Sequence, residues 1–518
     1  MTTSNERMKT IISAWAVGLL ALTAPWAQAG ETTLTLDKGG LHLLDAQGRE
    51  LDRHVVRAKR WDQRGEGEDR VAVLLDADRS RPLLARVRGG RLQVHALPVP
   101  DFEVEALCLH RDPQGLLHLF LLGNDGLSEQ WLLGEHATRP LRRLATAPHP
   151  QGCSVDDSRG LLQFGEPGVG QWFVATEAEG RPRRWLNEPA PAARRDWPVL
   201  QPSAQTEPVG QQGDAADDPA IWVAPHDGRR SLVLGTNKKQ GLLVYGLDGR
   251  QHQLLPVGRI NNVDLRQGIR TGGRRWDLAV ATQRDEQTLV LFGIDGQGHV
   301  AELARLPTDL RDIYGLCVGR TPDGQLDAFP NDKDGRVQQY RIEQHEGRWQ
   351  ARLLRQFKLD SQPEGCVVDE REGRLFVGEE KRGIWALDAR AEAAARPQLV
   401  MHVGGELVAD VEGLAIYQGR RGAPSYLVVS SQGSDSYLVL DARPPFGLRG
   451  GFRIGINEQR GIDGASETDG LEVTSANLGG PYTQGLLVVQ DGHKRLPDGR
   501  QNFKLLPWIE VARALKLP

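Results

Sequence analysis

The chain has 518 residues, too many for one ordinary globular core, so its length predicts two domains or one large repeat architecture. Hydrophobic residues make up 39% and charged residues 25%, with 60 glycines, which is typical of a globular protein with many turns and excludes a disordered or membrane-embedded chain. The formal net charge of −4 provides no overall positive field for nucleic acid. An anionic ligand would therefore have to meet local groups of positive charge.

The N-terminus has the pattern of an export signal. Arg7 and Lys9 precede an apolar run from Ile11 to Ala24, and Ala27-Gln28-Ala29 provides small residues for cleavage after Ala29. The apolar run is shorter than the ~20 residues of a membrane-spanning helix, and no later stretch is apolar enough to span a bilayer. The sequence predicts a signal peptide over residues 1–29 and a secreted or periplasmic protein without a membrane partner.

Two stretches of the chain are copies of each other. Residues 104–133 align without a gap with 313–342, and 150–172 align with 363–385. The segment KGGLHLLDAQGRE, which begins at Lys38, also matches KQGLLVYGLDGRQ. We call residues 30–200 the first copy and residues 201–518 the second copy. The first copy is the shorter, so the alignment indicates one design that is truncated in the first half of the chain.

The second copy has a finer period. Short apolar segments headed by acidic, aromatic or glycine residues recur six times, roughly every 45 to 55 positions. They begin at Asp217, Asn261, Ile313, Pro363, Val411 and Thr468. Between them, alternating or continuous apolar runs are separated by Gly, Asp and Asn turns, which predicts strands joined by hairpins. Units of about four strands repeated in this way favour a β-propeller, because a β-sandwich fits the strands but not the long, regular period.

The repeats predict an all-β protein of two unequal domains. The second copy has six units and is expected to close as a six-bladed β-propeller, with a strand from the segment before Asp217 completing the ring. The first copy contains the end of one unit and about three more, too few to close a ring. We expect it to be an incomplete, degenerate propeller domain, docked on its neighbour or on another chain. A linker rich in Pro and Ala is predicted at 189–208.

Acidic residues occur at the unit heads and in the turns beside them. Because unit heads lie near the central channel of a propeller, these side chains are expected to converge. An oxygen-only set, without paired His or Cys ligands, suits a hard cation such as calcium rather than zinc or copper. An isolated Asp-Gly on its own would indicate only a turn. The acidic residues are Asp217, Asp218, Glu364, Glu379, Glu380, Asp410, Glu412, Asp463 and Asp469.

A basic set occupies equivalent turns of successive units. It comprises Lys238, Lys239, Arg284 and Lys333. These residues are expected on the same rim as the carboxylates, where cations beside a metal site would favour a bound phosphate. A Lys pair in a turn, taken alone, is more typical of a solvated surface than of a binding site.

Long motifs in a fixed order make the second copy similar to a known family. They include DDPAIWV from Asp217, GTNKKQG from Gly235, NDKDGRVQQY from Asn331, PEGCVVDEREGRLFVGEE from Pro363 and ETDGLEV from Glu467. Over residues 202–518 the chain resembles the β-propeller phytases, and its truncated first copy resembles the incomplete N-terminal domain of two-domain members. The resemblance implies a six-bladed propeller and a phosphoric monoester hydrolase, a 3-phytase. It also implies calcium-dependent hydrolysis of myo-inositol hexakisphosphate.

The resemblance also implies roles for individual residues. Phosphate binding is expected at Lys238, Arg284, Tyr314 and Lys333. Several calcium ions are expected on Asp218, Glu364, Glu380, Asp410, Glu412, Asp463 and Asp469, and the catalytic set is expected to be Glu364, Glu380, Asp410 and Glu412. Asn261, Asn262 and Asp491 occupy further family positions with less specific roles. Metal-activated water would attack the phosphate, in a protein expected to act as a monomer on inositol phosphates.

The first copy lacks these residues at the aligned positions. Asp37 stands for Lys238, Ala77 for Arg284, Glu105 for Tyr314, Asn124 for Lys333 and Gln151 for Glu364. Gly126 and Gly152 remain matched to Gly335 and Gly365. Independent catalysis by the first copy is therefore not expected, whereas substrate handling, stabilisation of the second copy and a passive remnant all stay open.

The four cysteines follow the same repeat. Cys108 and Cys153 align with Cys317 and Cys366, each at the head of neighbouring units. One disulfide within each copy is the natural pairing in an exported protein, and four buried free thiols are the alternative.

Two other classes of propeller stay open on the sequence. A calcium-containing lactonase or phosphotriesterase of the paraoxonase type shares fold and metal, but it would need a histidine base at the channel. A non-catalytic propeller that binds a protein or sugar would carry the dense carboxylate and Lys/Arg set at a cost in self-repulsion.

Overall fold

The computed structural model describes residues 32–135, 137–166, 170–176, 183–187 and 196–518. The predicted signal peptide lies outside these residues, as does part of the predicted linker. Within the described part of the chain, no helix is both long enough and apolar enough to cross a membrane.

The first copy folds into four antiparallel sheets. Strands β1 to β3 form a three-stranded sheet, and β4 to β7, β8 to β11 and β12 to β15 form four-stranded sheets in chain order. The strands are β1 Thr33–Asp37, β2 Gly40–Leu44, β3 Glu50–His54, β4 Ala58–Arg64, β5 Val71–Asp76, β6 Arg81–Arg88, β7 Arg91–Ala96, β8 Val104–Arg111, β9 Leu117–Gly123, β10 Leu127–Leu133, β11 Thr138–Ala145, β12 Cys153–Asp156, β13 Leu161–Glu166, β14 Gly170–Ala175 and β15 Arg183–Asn187. The sequence predicted the end of one unit and about three more in this part of the chain.

The remaining strands, with β16 just before the second copy, form six further sheets. They are β16 Val199–Leu200, β17 Ala204–Gln205, β18 Ala216–Trp222, β19 Leu232–Asn237, β20 Gly241–Gly246, β21 Gln251–Leu255, β22 Ile260–Thr271, β23 Arg274–Gln283, β24 Thr288–Ile294, β25 Val300–Pro307, β26 Val318–Arg320, β27 Leu326–Ala328, β28 Arg336–His345, β29 Arg348–Lys358, β30 Pro363–Asp369, β31 Arg374–Glu379, β32 Gly383–Asp388, β33 Gln398–His402, β34 Val411–Tyr417, β35 Tyr426–Ser431, β36 Ser436–Asp441, β37 Leu448–Ile454, β38 Leu471–Thr474, β39 Leu486–Asp491 and β40 Asn502–Pro507. Among the described residues there is one α-helix, α1, at Trp508–Ala514, and short 3-10 turns occur at Gly67–Asp69, Gly228–Arg230, Gln432–Ser434, Glu458–Arg460 and Gly480–Tyr482.

The six sheets follow one another around a ring. The first strand of each sheet contacts the first strand of the next, in the order β18, β22, β26, β30, β34 and β38, and β38 contacts β18 again. Strand β17 pairs with β40 and so adds a strand from before Asp217 to the last sheet, as predicted. Strand β16 pairs in parallel with β37. The all-β, propeller-type fold expected from the sequence is confirmed.

Apolar side chains fill the spaces between neighbouring sheets. One cluster joins Trp222 and Val244 of the β18–β21 sheet with Ala281 and Phe292 of the next sheet. Strands such as β19 and β20 are buried at every position, because both faces of an inner strand pack on neighbouring sheets. This explains why the sequence shows continuous as well as alternating apolar runs.

Two disulfides connect neighbouring sheets. Cys108 of β8 bonds to Cys153 of β12, with Cα atoms 6.0 Å apart. Cys317, just before β26, bonds to Cys366 of β30, with Cα atoms 5.4 Å apart. The predicted pairing of one bridge within each copy is confirmed, and the alternative of free thiols is not.

The first copy is docked on the second. Lys38 Nζ donates to Asp312 Oδ2 over 2.7 Å, and Ser80 Oγ donates to the Gln212 carbonyl oxygen over 2.8 Å. The imidazole rings of His149 and His493 meet edge to face, with centroids 4.7 Å apart. Of the two partners that the sequence left open for the truncated copy, its neighbour in the chain is the one it contacts.

Candidate active site

β-Bulges at the unit heads position the central side chains. The pairing register shifts between Ala216 and Pro219 in β18, and similar shifts occur in three other inner strands. A bulge opposes two residues to one and re-aims the side chains within it. The residues inside these bulges are Asp217 and Asp218, Asn261 and Asn262, Glu364 and Gly365, and Glu412 and Gly413. Four of the six head motifs therefore form bulges, in β18, β22, β30 and β34.

Three glutamates form a compact, buried centre. Glu364, Glu380 and Glu412 each offer a carboxylate oxygen, and these oxygens lie within 4.8 Å of one another. Burial raises the pKa of Glu380 to about 7, and the charge of Glu364 adds to the effect. Burial and the same neighbour raise the pKa of Glu412 well above its ordinary value. Burial is the larger cause of both shifts and repulsion from Glu364 the smaller, and a divalent cation between these groups would offset both effects.

Buried carboxylate oxygens without hydrogen bonds lie around this centre. Neither side-chain oxygen of Asp217 accepts a hydrogen bond among the described residues, although Lys238 Nζ lies 3.2 Å from its Oδ2, and Glu412 Oε2 lacks one as well. Burial raises the pKa of Asp217 to about 7, partly offset by the charge of Lys238. Since buried acceptors are normally satisfied, these oxygens fit the role of metal ligands. The donor set is all oxygen, which is the preference of calcium.

Lys238 is held by three carboxylates. Its Nζ lies 2.8 Å from Asp469 Oδ2 and 3.2 Å from Asp217 Oδ2, and it also contacts Asp214. Burial lowers the pKa of Lys238, but the three negative charges outweigh this effect and raise it well above its ordinary value. Burial raises the pKa of Asp469 to about 7. Lys238 therefore stays charged beside the carboxylate centre, within reach of a phosphate bound there.

Arg284, Lys333 and Tyr314 form the basic side of the site. Lys333 Nζ lies 3.8 Å from the centroid of the Tyr314 ring, and the Arg284 guanidinium carbon lies 5.1 Å from it. Burial and the nearby charge of Arg284 lower the pKa of Lys333. The Tyr314 ring thus orients two cations that repel each other, an arrangement that a bound anion would stabilise.

Asn261 links the basic side to the carboxylates. Arg284 Nη1 donates to Asn261 Oδ1 over 3.1 Å, and Asn261 Nδ2 donates to Glu364 Oε1 over 2.8 Å. A single amide therefore fixes the distance between a predicted phosphate ligand and a predicted metal ligand.

Other predicted ligands lie in different surroundings. Asp463 and Asp491 both contact the buried Lys504, at 2.7 and 2.8 Å. Asp410 is partly exposed, with Lys381 Nζ 3.7 Å from its Oδ1. The metal roles of Asp463 and Asp410 stay predictions.

Two further acidic residues are held by the protein itself. Asp218 Oδ2 accepts the Val263 amide hydrogen over 3.1 Å, and its metal role also stays a prediction. Glu379 accepts hydrogen bonds from Ser361 and, over 2.8 Å, from Trp385 Nε1, so its bonds to the protein already satisfy it.

Some site residues were not expected from the sequence. Asp214 contacts Lys238, and Gln432 Nε2 donates to Asp469 Oδ1 over 2.7 Å. A cavity of about 340 Å³ lies beside the site, and residues of the first copy form part of its wall. The cavity is lined by Arg57, Lys59, Arg60, Leu75, Asp76, Ala77, Ser80, Glu103, Val104, Glu105, Gly213, Asp214, Lys238, Lys239, Arg284, Tyr314 and Lys333.

Comparison with known proteins shows the family of the chain. A family model described as Phytase matches residues 185–517. The chain belongs to the phytase family. A 3-phytase of Bacillus subtilis (strain 168) is 37% identical over 324 residues, which cover 60% of this chain and 84% of that protein. The resemblance seen in the sequence motifs is confirmed, and the family favours a phytase over a lactonase or a non-catalytic propeller.

A solved structure was also found, at a lower level of similarity. It is a functionally unknown protein from Desulfotomaculum acetoxidans DSM 771, with 12% identity and a TM-score of 0.32 over 64% of this chain and 90% of that chain. This likeness carries no argument about fold or function. The phytase family match begins at residue 185, so nearly all of the first copy lies outside it.

Proposed function

We propose that this member of the phytase family is an exported, calcium-dependent 3-phytase that releases phosphate from myo-inositol hexakisphosphate. The observation that carries the proposal is the buried centre of Glu364, Glu380 and Glu412, whose oxygens lie within 4.8 Å of one another. The phosphate-binding cations Lys238, Arg284 and Lys333 lie on the wall of the adjoining cavity. The 3-phytase of Bacillus subtilis, 37% identical, supports the choice of substrate.

The carboxylates fit calcium for three reasons. All donors are oxygens, the three glutamates are buried, and oxygens of Asp217 and Glu412 have no hydrogen-bond partner among the described residues. Glu364, Glu380 and Glu412 would hold the metal, with Asp217 and Asp469 close by. Bound calcium would supply positive charge and lower the pKa of a coordinated water.

The remaining side chains bind and orient the substrate. Arg284 and Lys333, oriented by the Tyr314 ring, would take up the negative charge of a phosphate group. Lys238 would do so from the carboxylate side, because its three acidic contacts keep it charged. Asn261 would hold Arg284 and Glu364 at a fixed separation. We propose no side-chain nucleophile, so the water would be the attacking group.

Export and domain organisation belong to the same proposal. A signal peptide over residues 1–29, an incomplete domain over 30–200 and a catalytic domain over 201–518 account for the sequence pattern. The two disulfides support an oxidising compartment. We propose that the mature enzyme is a monomer, since the truncated copy already packs against its neighbour in the same chain.

The test is phosphate release from myo-inositol hexakisphosphate with and without calcium. We expect removal of calcium to abolish release and to lower the melting temperature, because a metal bound only to the folded state adds stability. Calcium should restore both, whereas magnesium at the same concentration should restore little activity. Full turnover by metal-free protein would contradict the proposal.

A further inference from the structure

The first copy keeps the inner-strand bulge but presents cations in it. In β4 the pairing register shifts between Ala58 and Trp61, so Lys59 and Arg60 lie inside the bulge. The equivalent bulge of β22 contains Asn261 and Asn262. The first copy therefore has a lysine and an arginine where the second copy has the two amides of its site wall.

Hydrogen bonds confirm this equivalence. Just after the bulge, Asp62 Oδ2 accepts the Leu109 amide hydrogen over 2.8 Å, and its Oδ1 accepts Arg64 Nη1 over 2.9 Å. In the second copy Asp264 accepts the Val318 amide hydrogen over 2.8 Å and Arg266 Nη1 over 2.7 Å. Just before the bulge in the first copy, the Ala77 amide donates to the Arg57 carbonyl oxygen over 2.8 Å. At the same place in the second copy, the Arg284 amide donates to the Arg259 carbonyl oxygen over 2.7 Å.

The two copies face each other through equivalent residues. Lys38 of the first copy pairs with Asp312 of the second over 2.7 Å. At the reciprocal contact, the negative charge of Glu103 acts on Lys239, the counterpart of Lys38. Lys239 Nζ also donates to Ser80 Oγ over 2.6 Å. This packing places the β4 bulge opposite the active site, across the cavity of about 340 Å³.

The cations around the cavity differ in how far they are neutralised. Arg57 is paired with Asp78 at 2.6 Å, and Arg60 with Glu105 at 3.0 Å. Among the described residues, Lys59 has neither a hydrogen bond nor an ion pair of its side chain, and it is exposed to the cavity. Its charge acts on Lys333 across the cavity. Its charge also acts on Asp214 in the same cavity wall, a carboxylate that Lys238 already pairs with. Among the described residues, Lys59 and Lys333 are thus two cations from different copies that line one cavity without an ion pair of their own.

This arrangement favours a ligand with several phosphate groups. A single phosphate held by Arg284 and Lys333 needs nothing from the first copy. A second phosphate on the same ring would extend into the cavity toward Lys59, where it would meet an unpaired positive charge. The arrangement therefore fits a ligand with more than one phosphate group better than a simple phosphate monoester, and the inositol ring of that ligand comes from the proposed function.

We propose that Lys59 of the first copy is a substrate-binding residue, which contacts a phosphate group of the inositol polyphosphate other than the one held by Arg284 and Lys333. The inference rests on the proposed function for its substrate. It gives the first copy a role in substrate selection, one of the roles that the sequence left open.

The experiment compares full-length wild type with Lys59→Ala and Lys59→Glu at saturating calcium. We expect the ratio of kcat/KM for myo-inositol hexakisphosphate to kcat/KM for p-nitrophenyl phosphate to fall about fivefold in Lys59→Ala and further in Lys59→Glu. Arg91→Ala is the control, because Arg91 is an exposed cation on β7, the outer strand of the same sheet. It should leave the ratio unchanged, and the melting temperature should be that of wild type in all three variants.

Binding of the non-hydrolysable myo-inositol hexasulfate, measured by calorimetry, separates this inference from the proposed function. Weaker binding by both Lys59 variants than by wild type would support the inference. This holds even if wild type released no phosphate, because absence of phosphate release would overturn only the proposed function. Wild-type binding by both variants, with an unchanged kinetic ratio, would overturn the inference while the phytase activity stands.

Discussion

The two copies share their framework bonds almost position by position. Trp172 Nε1 donates to Glu166 Oε2 over 2.8 Å, and Trp385 Nε1 donates to Glu379 Oε2 over the same distance. A second pair of bonds is repeated in the same way: Arg142 to Gln130 over 2.8 Å in the first copy, and Arg355 to Gln339 over 2.7 Å in the second.

The two copies differ at the positions of the proposed active-site residues. The positions of Arg284, Tyr314 and Glu364 are occupied in the first copy by Ala77, Glu105 and Gln151. Framework bonds join strands within a sheet or to its neighbour, whereas site residues lie in bulges and turns at the channel end. Since the two sets share few residues, one can be lost while the other is retained. The propeller framework of the first copy is therefore retained although its active-site residues are lost.

The largest expected effect on kcat/KM comes from exchanging the Glu and Gln side chains at equivalent positions of the two copies. Glu364→Gln should lower kcat/KM for myo-inositol hexakisphosphate at least about 100-fold, or about 2.7 kcal/mol, because it removes a charge from the buried carboxylate centre. Gln151→Glu should leave it unchanged, since Gln151 is exposed and belongs to neither group of candidate metal ligands among the described residues. Phosphate-release kinetics provide the measurement. Equal effects of the two substitutions would show that the site is shared between the copies.

A smaller loss is expected on the basic side. Lys333→Ala should lower kcat/KM about tenfold, or about 1.4 kcal/mol, with folding intact, because Lys333 contacts the Tyr314 ring and has no ion pair among the described residues. Lys358→Ala is the matched control. Lys358 is exposed at the end of β29, in the sheet whose β27–β28 connection contains Lys333. Near-normal kinetics of Lys333→Ala would refute its role in phosphate binding.

The framework is expected to respond equally in both copies. Trp172→Phe and Trp385→Phe each remove one hydrogen bond to a glutamate and should lower the free energy of unfolding by about 1 kcal/mol. The measurement is denaturant unfolding, with phosphate release as a second readout. If only Trp385→Phe mattered, the first copy would be a loosely held remnant and not a second framework.

The smallest expected effect is a pH-dependent shift in melting temperature. Asp217, Glu380 and Asp469 have pKa values raised to about 7 in the folded protein, above the ~4 of the unfolded chain. Without metal, these groups add stability below about pH 4, and this contribution is lost as pH rises toward 7. Calcium needs the deprotonated forms, so it should stabilise more at high pH.

Melting temperatures of calcium-free and calcium-loaded protein, measured at pH 5 and pH 8, test this shift. We expect the difference between the two forms to widen by about 4 °C from pH 5 to pH 8. An equal difference at both values would show that these carboxylates do not hold the metal. Because the first copy lacks the centre, Gln151→Glu should not alter the widening.

The sequence alone indicated the repeat, the all-β propeller fold and the family, and it gave the natural pairing of the cysteines while leaving free thiols open. These properties depend on local patterns: apolar periodicity, turn residues at fixed intervals and long motifs in order. The sequence also selected Glu364, Glu380, Glu412 and Lys238, because residues at unit heads must converge on one end of a ring.

Which of the predicted residues meet depends on how the sheets pack in three dimensions. Asp463 pairs with the buried Lys504, and Glu379 is satisfied by Ser361 and Trp385, although both carry the same carboxylate as the central glutamates. Docking of the first copy brings Lys59 to the cavity beside Lys333. No periodicity encodes such contacts, because they depend on how two separately folded sheets pack. In the first copy alone Lys59 would be an ordinary surface lysine, and it lines a cavity only because the second copy packs opposite it.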